Sequence, residues 1–130
     1  MASVQRRRFL IVDNNEQECG AFVQLFESFG HEVSATWSGR DALEYLQSAR
    51  FDLVLVVPYV ADMYVGKFLE RVLELPNHPR VAIMKGSRKL EPIKYDKSLG
   101  EFQVFDKGQP DQMCQVLRMA FPEFYDGPVN

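Results

Sequence analysis

The fold is decided by the stretch Phe51-Asp52-Leu53-Val54-Leu55-Val56-Val57. From Leu53 onward this run is entirely apolar and rich in β-branched valine, and Pro58, which cannot donate a ladder hydrogen bond, follows it directly. A short apolar run with such an ending predicts a strand that is buried on both faces. Strands of this kind occur in parallel sheets that helices cover on both sides. The run therefore predicts an α/β fold.

Further apolar runs alternate with helical patterns along the chain. Four more strands are predicted, over residues 9–12, 32–36, 81–84 and 102–105. The five predicted helices are residues 15–29, a helix capped by Ser38, one opened by Gly66, a weak one over residues 90–99, and one that begins at Pro110. This alternation predicts a single doubly wound domain, in which a five-stranded parallel sheet of flavodoxin-like type is flanked by five helices. The core of the domain spans about residues 6–121, and residues 122–130 form a loose tail without periodicity.

Composition and charge limit the classes of function. The chain has 130 residues, of which 46% are apolar and 25% charged, and its net charge is −3. This balance is typical of a globular domain and argues against nucleic acid as a partner. No apolar run reaches the roughly 20 residues that span a bilayer, and the run after Arg6-Arg7-Arg8 is too short for a secretory signal. We therefore expect a cytoplasmic protein that binds neither nucleic acid nor membrane.

In a doubly wound fold the carboxyl ends of the strands meet at one edge of the sheet, and ligands bind there. The residues that the predicted strand ends place at this edge are Asp13, Asn14, Asn15, Val57, Pro58, Lys85, Gly86, Ser87, Asp106 and Lys107. We expect the functional site among them.

The segments at this edge resemble the receiver domains of response regulators, the chemotaxis-receiver family. The resemblance covers about residues 6–121, and both the order and the spacing of the segments agree with the family. The segments that carry it are Ile11-Val12-Asp13-Asn14-Asn15-Glu16, Asp52-Leu53-Val54-Leu55-Val56-Val57, Asp62-Met63-Tyr64-Val65-Gly66 and Val104-Phe105-Asp106-Lys107-Gly108. The resemblance implies the receiver fold and a place in bacterial two-component signal transduction.

In that family an aspartate at the end of the third strand accepts a phosphoryl group beside an acidic pair that binds a divalent metal. The resemblance puts Val57 at the acceptor position, and Asp13 and Asn14 at the acidic pair. Valine has no nucleophilic oxygen, and a hard cation such as Mg²⁺ needs several oxygen ligands. The resemblance therefore implies a pseudo-receiver that takes no phosphoryl group, needs no cofactor and has no metal site. Asp13 remains a weak residual candidate for a metal ligand.

The parts that relay phosphorylation in the family are also altered. The resemblance puts Gly86 at the position of a Thr or Ser that contacts the phosphoryl group, with Ser87 one residue later. Val104 stands at the position of the switch aromatic, next to Phe105, and Lys107 matches the lysine of the family. These degenerate positions imply a phosphorylation-independent protein–protein interaction module, and not an enzyme.

Two other functions stay open. One is a receiver that is phosphorylated at a non-standard carboxylate such as Asp106. The other is a domain that binds a small anionic ligand or nucleotide in the pocket beside Lys107 and Gly86. The surviving acidic residues also have structural interpretations, since Asp13 can pair with Lys107 or cap the first helix, and Asp62 can be a turn residue.

Two surface groups are candidates for binding a signalling protein. The basic group consists of Lys85, Arg88, Lys89, Lys94 and Lys97. It forms either a solvated face or a dock for an acidic partner. The aromatic pair Tyr59 and Tyr64 lies in the loop over the acceptor position, where it either fills the vacated pocket or forms an exposed patch.

Two further interaction surfaces are predicted near the last helix. Phe121, Phe124 and Tyr125 follow the last helix, and they either fold back on the domain or anchor a dimer or another partner. The resemblance also implies a homodimer through the fourth helix, the fifth strand and the fifth helix.

Overall fold

The structure, a computed structural model, describes residues 7–86, 93, 95–106, 108 and 110–124. For Pro110, Gln112 and Phe124 it describes the backbone alone. In chain order the elements are β1 (Arg8–Val12), α1 (Glu16–Ser28), β2 (Glu32–Thr36), α2 (Gly39–Ser48), β3 (Leu53–Val56), β4 (Tyr59–Val60), β5 (Met63–Tyr64), α3 (Val65–Leu73), β6 (Arg80–Lys85), β7 (Gln103–Asp106) and α4 (Pro110–Ala120). Single 3-10 turns cover Lys97–Leu99 and Pro122–Phe124.

Five strands form a parallel sheet in the order β2-β1-β3-β6-β7. β3 is the central strand and every residue of it is buried, as its apolar sequence predicts. Right-handed crossovers put α1 on one face of the sheet, and α2 and α3 on the other, where these two helices pack together. The predicted doubly wound, five-stranded parallel sheet is confirmed.

The face of the sheet under α1 has an aromatic core. The ring of Phe9 meets the edge of Phe26, with 5.4 Å between ring centroids, and stacks on His31 at 4.6 Å. Burial lowers the pKa of His31 below its ordinary value of 6.5. The nearby Arg7 guanidinium lowers this pKa further, and the Asp52 carboxylate opposes both effects. His31 is therefore held towards its neutral form in the core.

The helices differ from prediction in one place. The structure describes four α-helices, and none of them is long and apolar enough to cross a membrane. The predicted helix over residues 90–99 is wrong for the described positions 93, 95 and 96, which are not helical. Asp96 has an extended backbone, and its side chain accepts a hydrogen bond from the Ser98 amide at 2.9 Å, so it begins the short turn Lys97–Leu99 instead. Aspartate favours such local bonds over a helix interior.

The segment after α4, as far as it is described, packs near the amino ends of β1 and β6. Phe121 is buried, which confirms that it folds back on the domain. The guanidinium of Arg80 lies over the Phe121 ring, 4.4 Å from its centroid, and pairs with the Glu123 carboxylate. Arg7 donates a hydrogen bond to the Glu123 carbonyl at 3.1 Å. These contacts hold Glu123, within the turn Pro122–Phe124, in place, whereas the rest of the predicted loose tail, residues 125–130, and the Phe124 side chain lie outside the described residues.

Candidate functional site

The carboxyl ends of β1, β2 and β3 bring Asp13 and Val57 side by side. Val12 pairs with Val56 in the sheet, and the Val57 amide donates to the Val12 carbonyl at 3.1 Å. The Asp13 amide donates to the Thr36 carbonyl at the same distance. Both side chains are enclosed, since Asp13 is 0% exposed and Val57 is 4% exposed. The centre of this edge is thus a buried carboxylate next to a buried aliphatic group.

Asp13 organises the start of α1. One of its carboxylate oxygens accepts a hydrogen bond from the Asn15 amide at 2.9 Å. Asn15 in turn caps α1, because its side-chain oxygen accepts a bond from the Glu18 amide at 3.1 Å. Asp13 therefore positions the capping residue and is not the cap itself. The predicted pair of Asp13 with Lys107 lies outside the described residues.

The donor set at this edge does not fit the divalent-metal site that the family resemblance implies. Val57 offers no oxygen, and the Asn14 side chain is exposed beside a single buried carboxylate, that of Asp13. Mg²⁺ takes about six oxygen ligands, of which one or two are carboxylates that face the ion and the rest are other oxygen groups and water. In the described part of the chain no three His, Cys, Asp or Glu side chains come together as a group that could hold a metal ion. We derive no step through a metal at this site.

Gly86 and Val104, the positions that the resemblance assigns to phosphoryl contact and to the switch aromatic, carry no polar or aromatic side chain. Gly86 is half-buried, and a Cβ added to it would meet no heavy atom of a described residue within 4 Å, so the packing of the described residues does not require glycine there. Val104 is 40% exposed on β7, whereas Phe105 is 3% exposed and belongs to the core. Neighbouring residues of a strand point to opposite faces. Phe105 therefore cannot take the place of an aromatic residue at position 104.

Asp106 ends β7 and turns towards the chain that follows it. One of its carboxylate oxygens accepts a hydrogen bond from the Gly108 amide at 2.8 Å. The side chain is exposed, and its hydrogen bond with Gly108 closes a local turn. The candidates Ser87 and Lys107 lie outside the described residues.

Residues 59–64, predicted as a loop, form a small hairpin in which β4 pairs with β5 antiparallel. Tyr59 is 49% exposed and Tyr64 is 63% exposed, and their ring centroids lie 4.7 Å apart. The alternative that this segment fills the vacated pocket is wrong for the two tyrosines, because it is Val60 and Val65 that are buried, while Met63 is half-buried. The two tyrosines form an exposed aromatic pair.

Asp62 ties this hairpin to α2. Its two carboxylate oxygens accept hydrogen bonds from the amides of Gly39, at 2.8 Å, and Arg40, at 3.0 Å. Burial alone would raise the pKa of Asp62, but these amide bonds and the nearby Arg40 charge outweigh it and lower the pKa below its ordinary value. Asp62 lies in the predicted turn, and it also accepts hydrogen bonds from the first two backbone amides of α2, which begins next to the Ser38 cap, 23 residues earlier in the chain.

The basic group is only partly described. Lys85 ends β6 with an exposed side chain, and the Lys97 ammonium lies 4.0 Å from the centre of the Tyr95 ring. The other three members, Arg88, Lys89 and Lys94, lie outside the described residues.

The sequence patterns did not point to a groove beside α2. This groove has a volume of about 460 Å³ and is lined by Ala35, Thr36, Trp37, Asp41, Glu44, Tyr45 and Ser48. The available signal was the spacing of the polar and aromatic residues on α2, which follow one another at helical intervals on the face away from the core.

Known proteins with a similar sequence or fold share this architecture. No protein-family model matches the chain. The polar-differentiation response regulator DivK of Brucella anthropi is 34% identical over 84 residues, which are 59% of this chain and 68% of DivK. DivK of Brucella ovis has the same identity and coverage.

Solved structures agree in fold. The chemotaxis response regulator CheY4 of Vibrio cholerae superimposes with a TM-score of 0.77 at 22% identity, covering 90% of this chain and 100% of CheY4. A CheY-like receiver domain from Methanospirillum hungatei superimposes with a TM-score of 0.79 at 21% identity, covering 92% of this chain and 97% of that domain. Receiver domains act in two-component signalling and bind other signalling proteins. From the strand order, the edge geometry and the sequence match to DivK, we conclude that this chain belongs to the response-regulator receiver family.

Proposed function

We propose that this chain is a pseudo-receiver, which binds a signalling partner without being phosphorylated. The observation that carries the proposal is Val57, which lies buried at the carboxyl end of β3, where the resemblance puts the phosphoacceptor. An aliphatic side chain can neither attack a phosphodonor nor ligate a cation. The neighbouring Asp13 carboxylate is buried and already bonded to the Asn15 amide. Transfer by the usual route of the family would therefore have no nucleophile at this position.

The alternative of a non-standard acceptor receives less support. The Asp106 carboxylate is exposed and accepts a bond from the Gly108 amide. Catalysis of phosphoryl transfer relies on positioning and on cations that neutralise the developing charge. Asp106 lies outside the buried centre of the edge, where Asp13 and Val57 meet. A small anionic ligand beside Lys107 and Gly86 is the other alternative, but Lys107 lies outside the described residues, so no described contact supports it.

The aromatic pair Tyr59 and Tyr64 is the part of the edge best suited to binding a partner protein independently of phosphorylation. The hairpin that carries it is short, and a two-stranded hairpin is marginal by itself. The Asp62 carboxylate fixes it to the start of α2, so the pair is presented in one orientation. Exposed tyrosines on a rigid support are typical anchors of protein interfaces.

A homodimer through β7 and α4 is the second part of the proposal. Val104 on β7 is 40% exposed, and on α4 Val116 is 41% and Met119 is 81% exposed. β7 is also an edge strand, so its outer side is unpaired within the described sheet. Sedimentation velocity tests this assembly, since the wild type should dimerise with concentration and Val104→Lys/Met119→Lys should stay monomeric. A wild type that is monomeric at all concentrations would restrict the module to other partners.

Intact-mass analysis after incubation with Mg²⁺ and acetyl phosphate tests phosphorylation independence. The proposal predicts no gain of a phosphoryl group in the wild type or in Asp106→Asn. A gain in the wild type that Asp106→Asn abolishes would establish the non-standard acceptor instead. A gain that survives this substitution would place the acceptor elsewhere and equally contradict the proposal.

A further inference from the structure

The groove beside α2 combines aromatic and acidic side chains. Asp41, Glu44, Tyr45 and Ser48 follow one another at helical spacing along the outer face of α2, and Trp37 comes directly after β2. The inner face of the helix carries Ala42 and the other core residues. The groove is therefore formed by the solvent side of α2 together with the carboxyl end of the outer strand.

The two aromatic rings in this groove are partly uncovered. Trp37 is 47% exposed and Tyr45 is 44% exposed. Large aromatic side chains with this much open surface, placed in a cavity of about 460 Å³, have room for a guest side chain. The cavity is of a size for one or two side chains and not for a helix.

The charge of the groove has one sign. Asp41 and Glu44 contribute two exposed carboxylates, and no lining residue is basic. Neither carboxylate takes part in an ion pair within the described part of the chain. The nearest cation in the sequence, Arg40, acts on the Asp62 carboxylate on the hairpin side of the helix. The groove thus keeps its negative charge available.

From this geometry we propose that the groove binds an arginine side chain from a basic segment of a partner protein. The guanidinium group is planar and weakly hydrated, so it stacks on the Trp37 or Tyr45 ring while its N–H groups reach a carboxylate. The compact lysine ammonium matches this combination less well. Nucleic acid and acidic segments are repelled by Asp41 and Glu44.

The position of the groove suits an extended segment of protein. β2 is the outer strand of the sheet, and no strand in the described ranges pairs with its outer edge, which ends at the groove residues Ala35 and Thr36. An extended chain can lie against such an edge while one side chain enters a neighbouring pocket. This proposal depends on α2 and β2 alone, so it stands or falls independently of the chemistry at Val57.

Fluorescence of Trp37 gives a direct test, because it is the only tryptophan of the chain. The probe is acetyl-tetra-arginine amide, titrated into the full chain at physiological salt. We expect a saturable change with a Kd below about 1 mM, and weaker binding of the tetra-lysine amide. Tetra-glutamate should cause no change.

Two variants and a matched control distinguish binding in the groove from nonspecific attraction to the net negative charge of the domain. Asp41→Asn/Glu44→Gln should weaken binding about tenfold, and Tyr45→Ala should weaken it by a similar factor. The control Glu27→Gln/Glu70→Gln removes the same charge from exposed positions on α1 and α3 and should bind as the wild type does. Circular dichroism verifies that each variant is folded.

Three results would overturn the proposal. The first is a linear fluorescence change without saturation. The second is an equal loss of affinity in the groove variant and in the control, because binding would then follow net charge alone. The third is equal affinity for tetra-lysine and tetra-arginine, which would remove the role of stacking.

Discussion

Replacing Asp62 by asparagine is a small chemical change from which we expect a clear loss of stability. Asp62→Asn keeps the shape of the side chain but removes its charge and replaces one acceptor oxygen by an N–H₂ group. One of the two amides at the start of α2, that of Gly39 or that of Arg40, then faces a donor instead of an acceptor. The variant should lower the stability of the domain and loosen the hairpin that carries Tyr59 and Tyr64.

The size of this effect follows from the exposure of the site. A hydrogen bond to a charged acceptor contributes about 1.5–3 kcal/mol, and loss of a helix cap typically costs about 1 kcal/mol. The Asp62 side chain is exposed, and solvent screening brings the value towards the lower figure. We expect the free energy of unfolding to fall by about 1 kcal/mol in Asp62→Asn, and by about 1–2 kcal/mol in Asp62→Ala. The melting temperature should fall by about 3–5 °C for each kcal/mol.

The pH dependence of this loss gives a second check. The pKa of Asp62 in the fold lies below its ordinary value of 3.8, so the carboxylate stabilises the domain above that pH. The stabilisation is lost as the pH falls through the folded pKa. The stability difference between wild type and Asp62→Asn should therefore be complete at neutral pH and should shrink in acid.

Urea unfolding at neutral and acidic pH measures these differences, with Glu70→Gln on α3 as a charge-matched control. Amide hydrogen exchange at Gly39 and Arg40 reports the contact itself and should become faster in the variant. The reasoning would be refuted if Asp62→Asn were as stable as the control at neutral pH. Unchanged exchange at the two amides would refute it as well.

Three further changes have defined outcomes. Gly39→Ala places a Cβ 2.6 Å from the Met63 sulfur, so it should destabilise the domain by about 1–2 kcal/mol in urea unfolding, and Met63→Ala in the same chain should restore most of the loss. Because burial lowers the pKa of His31, wild-type stability should decline as the pH falls from 6.5 through the folded pKa, and His31→Phe should decline less over the same range. Phe26→Ala removes a fully buried ring that contacts Phe9, and it should cost about 3–5 kcal/mol, measured by the same unfolding experiment.

The main elements of the fold could be predicted because their signals are local. The apolar runs over residues 9–12 and 53–57 correspond to buried neighbouring strands, and their order along the chain is that of a doubly wound sheet. The cap of α2 was predicted from the sequence as well, since the Ser38 hydroxyl accepts a hydrogen bond from the Asp41 amide at 3.1 Å. These features depend on periodicity and on contacts a few residues apart.

The contacts that could not be predicted join distant parts of the chain or involve elements too short for periodicity. β4 and β5 have two residues each, so no alternation distinguishes them from a loop. Asp62 reaches Gly39 across 23 residues, and nothing near Asp62 signals that contact. The Trp37 groove needs the strand and the helix to be placed together in three dimensions.

At the candidate site, family resemblance assigned the positions and the structure supplied their environments. The adjacency of Asp13 and Val57 follows from parallel strands that end at one edge, and it could be expected from the order of elements. The exposure of Tyr59 and Tyr64 could not, because an aromatic residue in a loop suits a buried or an exposed setting equally. Only the packing of Val60 and Val65 under the hairpin decides it.

The most direct test of the central claim is a two-dimensional amide NMR titration. Spectra of the wild type are recorded alone, with Mg²⁺, and with Mg²⁺ and beryllofluoride, a mimic of the phosphoryl group. A pseudo-receiver predicts no saturable shifts at the amides of Asp13, Val57 and Gly86. Saturable shifts at these amides would show that the edge still binds a metal ion or an anion, and they would contradict the pseudo-receiver account in favour of a ligand-binding domain.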